Sequence, residues 1–143
     1  MPIRSAEAQW KGSLKDGEGK LKLESGAFEG KYSFQSRFEE GAGTNPEELI
    51  GAAHSGCFAM ALSNLLEEEG YVPEQIDAEA SVKLEKTDQG FRITAIKLTV
   101  KGKVPGLDED TFKTKAEDAK NNCPVSKMIS PEVNVSLESN FLG

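Results

Sequence analysis

The chain has 143 residues and a formal net charge of −7. This length fits one domain over residues 1–143 with a real core, and 37% hydrophobic and 29% charged residues are typical of a soluble globular protein. An acidic surface repels phosphate, which argues against nucleic acid and anionic membranes as partners. The polar N-terminus predicts no secretory signal, and the apolar stretch around Cys57 is expected to be too short for a membrane span. We therefore expect a cytoplasmic protein.

The first third of the chain has the pattern of short strands separated by glycine-containing turns. Leu21 and Leu23 alternate with charged residues, and Tyr32 and Phe34 alternate with polar ones. Such alternation is typical of strands with one buried face.

A helix is predicted from Asn45 to about Glu69. Asn45 suits the N-cap, Pro46 the first helical position, and Glu48 the third position of a capping-box-like pattern. Small residues in this segment would let another backbone approach closely, and Gly70 would end the helix. Spacings of three and four predict one apolar stripe formed by Leu49, Ile50, Ala53, Cys57, Met60, Ala61 and Leu65.

A β-hairpin follows this helix. Residues 76–85 alternate between apolar and polar side chains, and 87–90 form the turn. The return strand over 91–100 changes phase by one residue between Ala95 and Ile96, which predicts a bulge.

The last part of the chain predicts a second helix and a final strand. Asp108 can start the helix, whose buried side would carry Phe112, Ala116 and Ala119, and residues 133–137 alternate as a strand. The order of elements predicts an α+β fold in which an antiparallel sheet packs on helices.

The two cysteines, Cys57 and Cys123, are the candidates for chemistry. A permanent disulfide is not expected in the cytosol, and one histidine without a CxxC pair predicts no zinc site. A metal site made only of carboxylates stays open but has no spacing signature. Each cysteine alone fits a core residue as well as a reactive thiol. Pro124 favours the second role for Cys123, because a thiol that begins a helical turn faces unpaired N–H groups. His54, one turn before Cys57, fits either a base or a packed, hydrogen-bonded residue.

Two charged residues are further candidates. Glu47 lies in the first turn of the predicted helix, where a carboxylate is favourable even without any function. Arg37 follows a predicted strand in an acidic segment and fits a surface arginine as well as a site residue.

Two motifs resemble the OsmC/Ohr family of osmotically inducible and organic hydroperoxide resistance proteins. Residues 43–58 read GTNPEELIGAAHSGCF, closer to the OsmC branch, and residues 123–126 read CPVS. The resemblance extends from Trp10 to the last strand. It implies an intertwined homodimer with long central helices and a strongly curved antiparallel sheet on each side.

The resemblance also implies an activity. Cys57 matches the cysteine that attacks the peroxide, Cys123 the resolving cysteine, and Arg37 and Glu47 the active-site arginine and glutamate. The expected function is reduction of small organic hydroperoxides in oxidative or osmotic stress defence. No cofactor or metal is expected to be bound, and the expected reductant is an external dithiol of the lipoyl type.

Helix geometry adds a prediction about the site. Glu47 and Cys57 are ten residues apart, or roughly 15 Å of rise, and cannot meet across one straight helix. Either the helix breaks near Gly51 or the carboxylate comes from a second subunit. Small residues around Cys57 favour close helix contact, and the resemblance implies a dimer. We therefore predict a composite site, with Cys57 and Cys123 from one chain and Glu47 and Arg37 from its partner. Two alternatives remain open: a general thiol peroxidase or disulfide reductase, and a non-catalytic stress-induced binding or structural dimer.

Overall fold

The computed structural model describes residues 1–143, which group into two compact units, 1–49 and 50–143. The single-domain organisation stays a prediction. In chain order the elements are β1 (Ala6–Lys11), β2 (Glu18–Leu23), β3 (Glu29–Tyr32), α1 (Phe34–Phe38), α2 (Pro46–Glu68), β4 (Gln75–Thr87), β5 (Gly90–Lys103), α3 (Glu109–Asn122), α4 (Pro124–Met128) and β6 (Asn134–Phe141). The α+β class predicted from the sequence is confirmed.

The first unit contains an antiparallel sheet in the order β1-β2-β3. The Trp10 and Tyr32 rings pack with centroids 5.3 Å apart, on either side of Gly19. A Cβ at position 19 would lie 2.5 Å from the Tyr32 ring and 2.6 Å from the Trp10 ring. Glycine therefore allows this aromatic pair to close over the central strand.

The predicted strand through Tyr32 and Phe34 was wrong at its end, because Phe34 begins α1. Ser33 caps this helix: its hydroxyl accepts a hydrogen bond from Ser36 N–H, and the Ser36 hydroxyl accepts one from Ser33 N–H. This reciprocal pair turns the chain out of the strand after Tyr32.

Helix α2 begins as predicted. The Asn45 side chain accepts a hydrogen bond from Glu48 N–H at 2.7 Å, as an N-cap does. In a capping box, the Glu48 carboxylate would accept from the Asn45 backbone N–H. Here it accepts instead from the Thr44 hydroxyl at 2.7 Å. Gly70, with φ +88°, follows the end of the helix.

The predicted apolar stripe of α2 packs only in part, since Cys57, Ala61 and Leu65 lie against the core. Ala53 and Met60 belong to that stripe but are exposed, Met60 by 77%. Most residues between positions 49 and 62 are apolar or small, so periodicity could not select one face. After Leu49, the buried residues of α2 are Gly51, His54, Phe58, Leu62 and Leu66.

The expectation that the apolar stretch is too short for a membrane span was also wrong. Helix α2 has 23 residues and is long and apolar enough to cross a membrane by length and composition alone. Only 28% of its most apolar window is buried within the chain. Much of its apolar surface therefore lacks a partner in the single chain.

The second unit contains a sheet in the order β4-β5-β6. The register of the hairpin shifts where Lys83 pairs with Ala95 and Leu84 pairs with Ile93, which confirms the predicted bulge within one residue. The prediction that all strands are antiparallel was wrong, because β5 and β6 are parallel. Two helices, α3 and α4, connect these strands, and parallel neighbours require such a crossover.

The core of the second unit packs α2 and α3 on this sheet. The three predicted buried residues of α3 are confirmed, and Asp108 caps the helix by accepting from Thr111 N–H. The fully buried members of the cluster are Phe58, Leu62, Leu66, Leu98, Val100, Val104, Phe112, Ala116, Ala119 and Cys123.

Candidate active site

In the first unit, Arg37 and Glu47 form a bidentate ion pair. Arg37 Nε and Nη2 each donate to one Glu47 carboxylate oxygen at 3.1 Å. The Glu47 side chain is only 9% exposed, whereas the Arg37 side chain is 37% exposed. The carboxylate thus fixes one edge of the guanidinium, and the remaining N–H donors are available to other acceptors.

Short hydrogen bonds tie α1 to the start of α2 and hold this pair in place. The Ser36 hydroxyl donates to the Thr44 carbonyl at 2.7 Å, and the Asn45 side-chain amide donates to the Ser36 carbonyl at 3.1 Å. Ser36 precedes Arg37 in the chain, so these bonds orient the arginine towards Glu47. The motif residue Asn45 therefore acts both as a helix cap and as a tether for α1.

Arg37 also lines an aromatic cleft of about 240 Å³ in the first unit. Its guanidinium carbon lies 5.3 Å from the centroid of the Phe38 ring. Periodicity gave no sign of this cleft, because its residues come from separate segments without a common spacing. The other lining residues are Trp10, Leu14, Tyr32, Ser33, Phe34 and Phe38.

In the second unit, Cys57 and Cys123 are both free thiols, and Cys57 packs against the buried cluster that contains Cys123. Cys57 lies on α2 and is half-buried, whereas Cys123 lies between α3 and α4 and is fully buried. The predicted helical turn after Cys123 is present, and the Cys123 sulfur accepts a hydrogen bond from Ser126 N–H at 3.4 Å. The more accessible thiol is therefore Cys57.

Burial is the largest influence on Cys57 and raises the pKa of its thiol. A hydrogen bond from the Val125 backbone N–H acts in the opposite direction, and the hydrogen bond and charge of Cys123 raise this pKa further. None of these influences comes from a cationic group. Within one chain, the surroundings of Cys57 therefore favour the thiol over the thiolate.

His54 is fully buried and forms a chain of polar contacts through Ser126 to Cys123. Its Nε2 lies 2.7 Å from the Ser126 hydroxyl, which lies 3.1 Å from the Cys123 sulfur. Its Nδ1 is buried without a hydrogen-bond partner. Burial lowers the pKa of the imidazole, which favours the neutral form. Ser126 lies in the CPVS motif, but no role for it was predicted from the sequence.

Two apolar residues close to Cys57 on α2 lie in different surroundings. Phe58 is fully buried in the core and is not available to a substrate, whereas Met60 is exposed. No group of three His, Cys, Asp or Glu side chains converges in a way that could hold a metal ion.

The four predicted site residues thus form two pairs in different units: Arg37 with Glu47, and Cys57 with Cys123. Helix α2 runs from Pro46 to Glu68 without a break near Gly51.

Comparisons with known proteins all point to one protein family. Residues 39–138 match the family described as OsmC-like protein. The chain is 46% identical over 136 residues to peroxiredoxin OsmC of Escherichia coli (strain K12), covering 94% of this chain and 95% of that one. It is 33% identical over 97 residues to organic hydroperoxide resistance protein OhrB of Bacillus subtilis (strain 168), covering 67% and 69%.

Solved structures share the fold. The crystal structure of OhrB from Bacillus subtilis superposes with a TM-score of 0.72 at 25% identity, covering 95% of this chain and 98% of that chain. An OsmC-like protein from Mycoplasma pneumoniae reaches a TM-score of 0.77 at 11% identity, with 99% of each chain covered, and shows the fold alone.

Proposed function

Because this chain belongs to the OsmC-like protein family, we propose that it is a thiol-dependent peroxidase that reduces organic hydroperoxides in stress defence. The contact between two reduced cysteines, Cys57 and Cys123, is the observation that carries the proposal. The names of its relatives, a peroxiredoxin and hydroperoxide resistance proteins, agree with it.

The chemistry follows from the order of accessibility of the two thiols. The Cys57 thiolate attacks one oxygen of the peroxide, the O–O bond breaks, and the alcohol leaves with a proton while Cys57 becomes a sulfenic acid. Cys123 then attacks this sulfur, water leaves, and a Cys57–Cys123 disulfide forms. A cytoplasmic dithiol of the lipoyl type reopens the disulfide by two exchange steps.

The aromatic cleft beside Arg37 supports an organic substrate. Its apolar lining suits an alkyl or aryl group, and the free donors of Arg37 can bind the peroxide oxygens. Hydrogen peroxide lacks the organic group and would gain nothing from this lining.

We further propose that the working protein is a homodimer with a composite site. Arg37 and Glu47 of one chain would complete the site of the partner, bringing a guanidinium to Cys57. Two observations support this arrangement: α2 is continuous between Glu47 and Cys57, and the pKa of Cys57 is raised when no cation acts on it. A nearby guanidinium would lower this pKa and supply the thiolate.

Substitution of each cysteine tests the proposed reaction. With cumene hydroperoxide, we expect Cys57→Ser to abolish peroxide consumption, whereas Cys123→Ser reacts once and leaves a sulfenic acid that dimedone traps. Wild-type protein should lose two thiols per chain after one equivalent of peroxide. Equal consumption of peroxide by Cys57→Ser and wild type would refute the proposal.

The non-catalytic alternative has one observation in its favour, because Cys123 is fully buried in the core like an ordinary apolar residue. Retention of both thiols after peroxide treatment would support this alternative. A general thiol peroxidase would instead turn over hydrogen peroxide as fast as cumene hydroperoxide.

A further inference from the structure

We propose that His54 and Ser126 are positioning residues for the second cysteine, linked as His54 Nε2–H to Ser126 hydroxyl to Cys123 sulfur. This inference rests on the proposed function and assigns to these residues the closing and reopening of the disulfide. Neither residue would act on the peroxide itself.

The direction of the chain follows from the unpartnered ring nitrogen. His54 is fully buried and its Nδ1 has no hydrogen-bond partner. A proton on Nδ1 would leave a buried donor unsatisfied, whereas a proton on Nε2 can be donated to the Ser126 oxygen at 2.7 Å. The neutral ring therefore carries its proton on Nε2.

Ser126 then directs two donors at one sulfur atom. With its oxygen accepting from His54, the Ser126 hydroxyl donates to Cys123 Sγ at 3.1 Å, and the Ser126 backbone N–H donates to the same atom at 3.4 Å. Donors fixed around an atom before the reaction stabilise negative charge that develops there.

Negative charge develops on Cys123 in both half-reactions. In closing, Cys123 gives up its thiol proton and its sulfur forms the S–S bond as the S–O bond of Cys57 breaks; the proton and hydroxide leave as water.

In reopening, an external dithiol reaches the half-buried Cys57 rather than the buried Cys123. Its sulfur bonds to Cys57, and Cys123 leaves as a thiolate that the two Ser126 donors stabilise. The second thiol of the reductant then releases Cys57 and completes the dithiol's oxidation.

The test separates the two chemical steps. In single turnovers with cumene hydroperoxide, peroxide loss reports the Cys57 step, and the lifetime of the dimedone-reactive species reports closure. We expect Ser126→Ala to leave the first step unchanged and to slow closure on the order of tenfold, the effect of losing about 1.4 kcal/mol of hydrogen bonding. Ser55→Ala, on the same helix as His54 and half-buried, is the matched control and should change neither step.

The role of His54 is tested by rescue and by non-additivity. His54→Leu should slow closure as Ser126→Ala does, and the double variant should be no slower than Ser126→Ala, because His54 acts through Ser126. His54→Gln keeps an N–H donor and should restore most of the rate. An additive double variant, or His54→Gln as slow as His54→Leu, would overturn the assignment.

A peroxide-free experiment distinguishes failure of this inference from failure of the proposed function. The disulfide is formed with diamide and reduced with dithiothreitol, and we expect Ser126→Ala to be reduced about tenfold more slowly than wild type and Ser55→Ala. Equal reduction rates for Ser126→Ala and wild type refute the inference even in an active peroxidase. If wild type is inert to peroxide but the disulfide of Ser126→Ala is still reduced more slowly than that of wild type, only the peroxidase function is refuted.

Discussion

Within a single chain, no cationic group acts on Cys57. Burial raises the pKa of its thiol, and the one opposing influence in its own chain is the Val125 backbone N–H. A thiol whose pKa is raised supplies less thiolate near neutral pH, and only the thiolate attacks a peroxide. The motif predicted the identity of the cysteine but not this environment, because burial depends on the packing of distant segments.

The pH dependence of Arg37→Met tests whether Arg37 supplies the missing charge. Without the guanidinium, the pKa of Cys57 should stay raised, so the rate of its reaction with cumene hydroperoxide should begin to rise at higher pH than in wild type. At pH values below the pKa of Cys57 in both proteins, Arg37→Met should react about tenfold more slowly than wild type for each unit by which its Cys57 pKa is higher. Stopped-flow rates between pH 5 and 9 provide the measurement.

Arg92→Met is the control for this experiment, since Arg92 also pairs with a glutamate but lies on β5. We expect its profile to match wild type. A wild-type profile for Arg37→Met would show that Arg37 does not act on Cys57.

Elements with local signals were predictable from the sequence, whereas those set by tertiary packing were not. The cap at Asn45 and the bulge near Ala95 each depend on a few neighbouring residues, and both are present. The parallel pairing of β6 depends instead on the path of α3 and α4, which no strand pattern encodes. The pairing of Cys57 with Cys123 was likewise implied by a family motif and not by their spacing.

The contact between β5 and α3 gives a prediction about stability. A Cβ at Gly102 would lie 2.3 Å from Cε1 of the buried Phe112 ring, which also packs on Phe141 at 5.2 Å. We expect Gly102→Ala to lower the free energy of unfolding by about 1–3 kcal/mol, because the overpacked ring must move. Urea denaturation at one fixed protein concentration measures the change.

A double variant identifies the cause of that destabilisation. Phe112→Leu alone removes packing, but combined with Gly102→Ala it makes room for the new methyl group, so the two effects should be less than additive. Full additivity would exclude the contact with Phe112 as the cause.

At the scale of the whole molecule, the exposed face of α2 lacks a partner in the single chain. Ala52, Gly56 and Met60 are exposed at intervals of four residues and form an apolar strip along the helix. Nothing lies within 4 Å of a Cβ built at Gly56, so another backbone has room to approach this strip. A helix that is apolar on all sides is normally buried on all sides, and a second copy of the chain would complete that burial.

Met60→Glu tests this role of the strip. A charge at the centre of a helix–helix contact would be desolvated without a partner, so we expect the variant to be monomeric. Peroxide reduction should be lost with the dimer, because a monomer cannot form the composite site, while the far-ultraviolet circular dichroism stays that of a folded chain. Val72→Glu is the matched control, since Val72 is 73% exposed and follows the end of α2. Sedimentation velocity should show it as a dimer with wild-type activity. An active monomeric Met60→Glu would contradict the composite site, because one chain would then hold everything that the reaction needs.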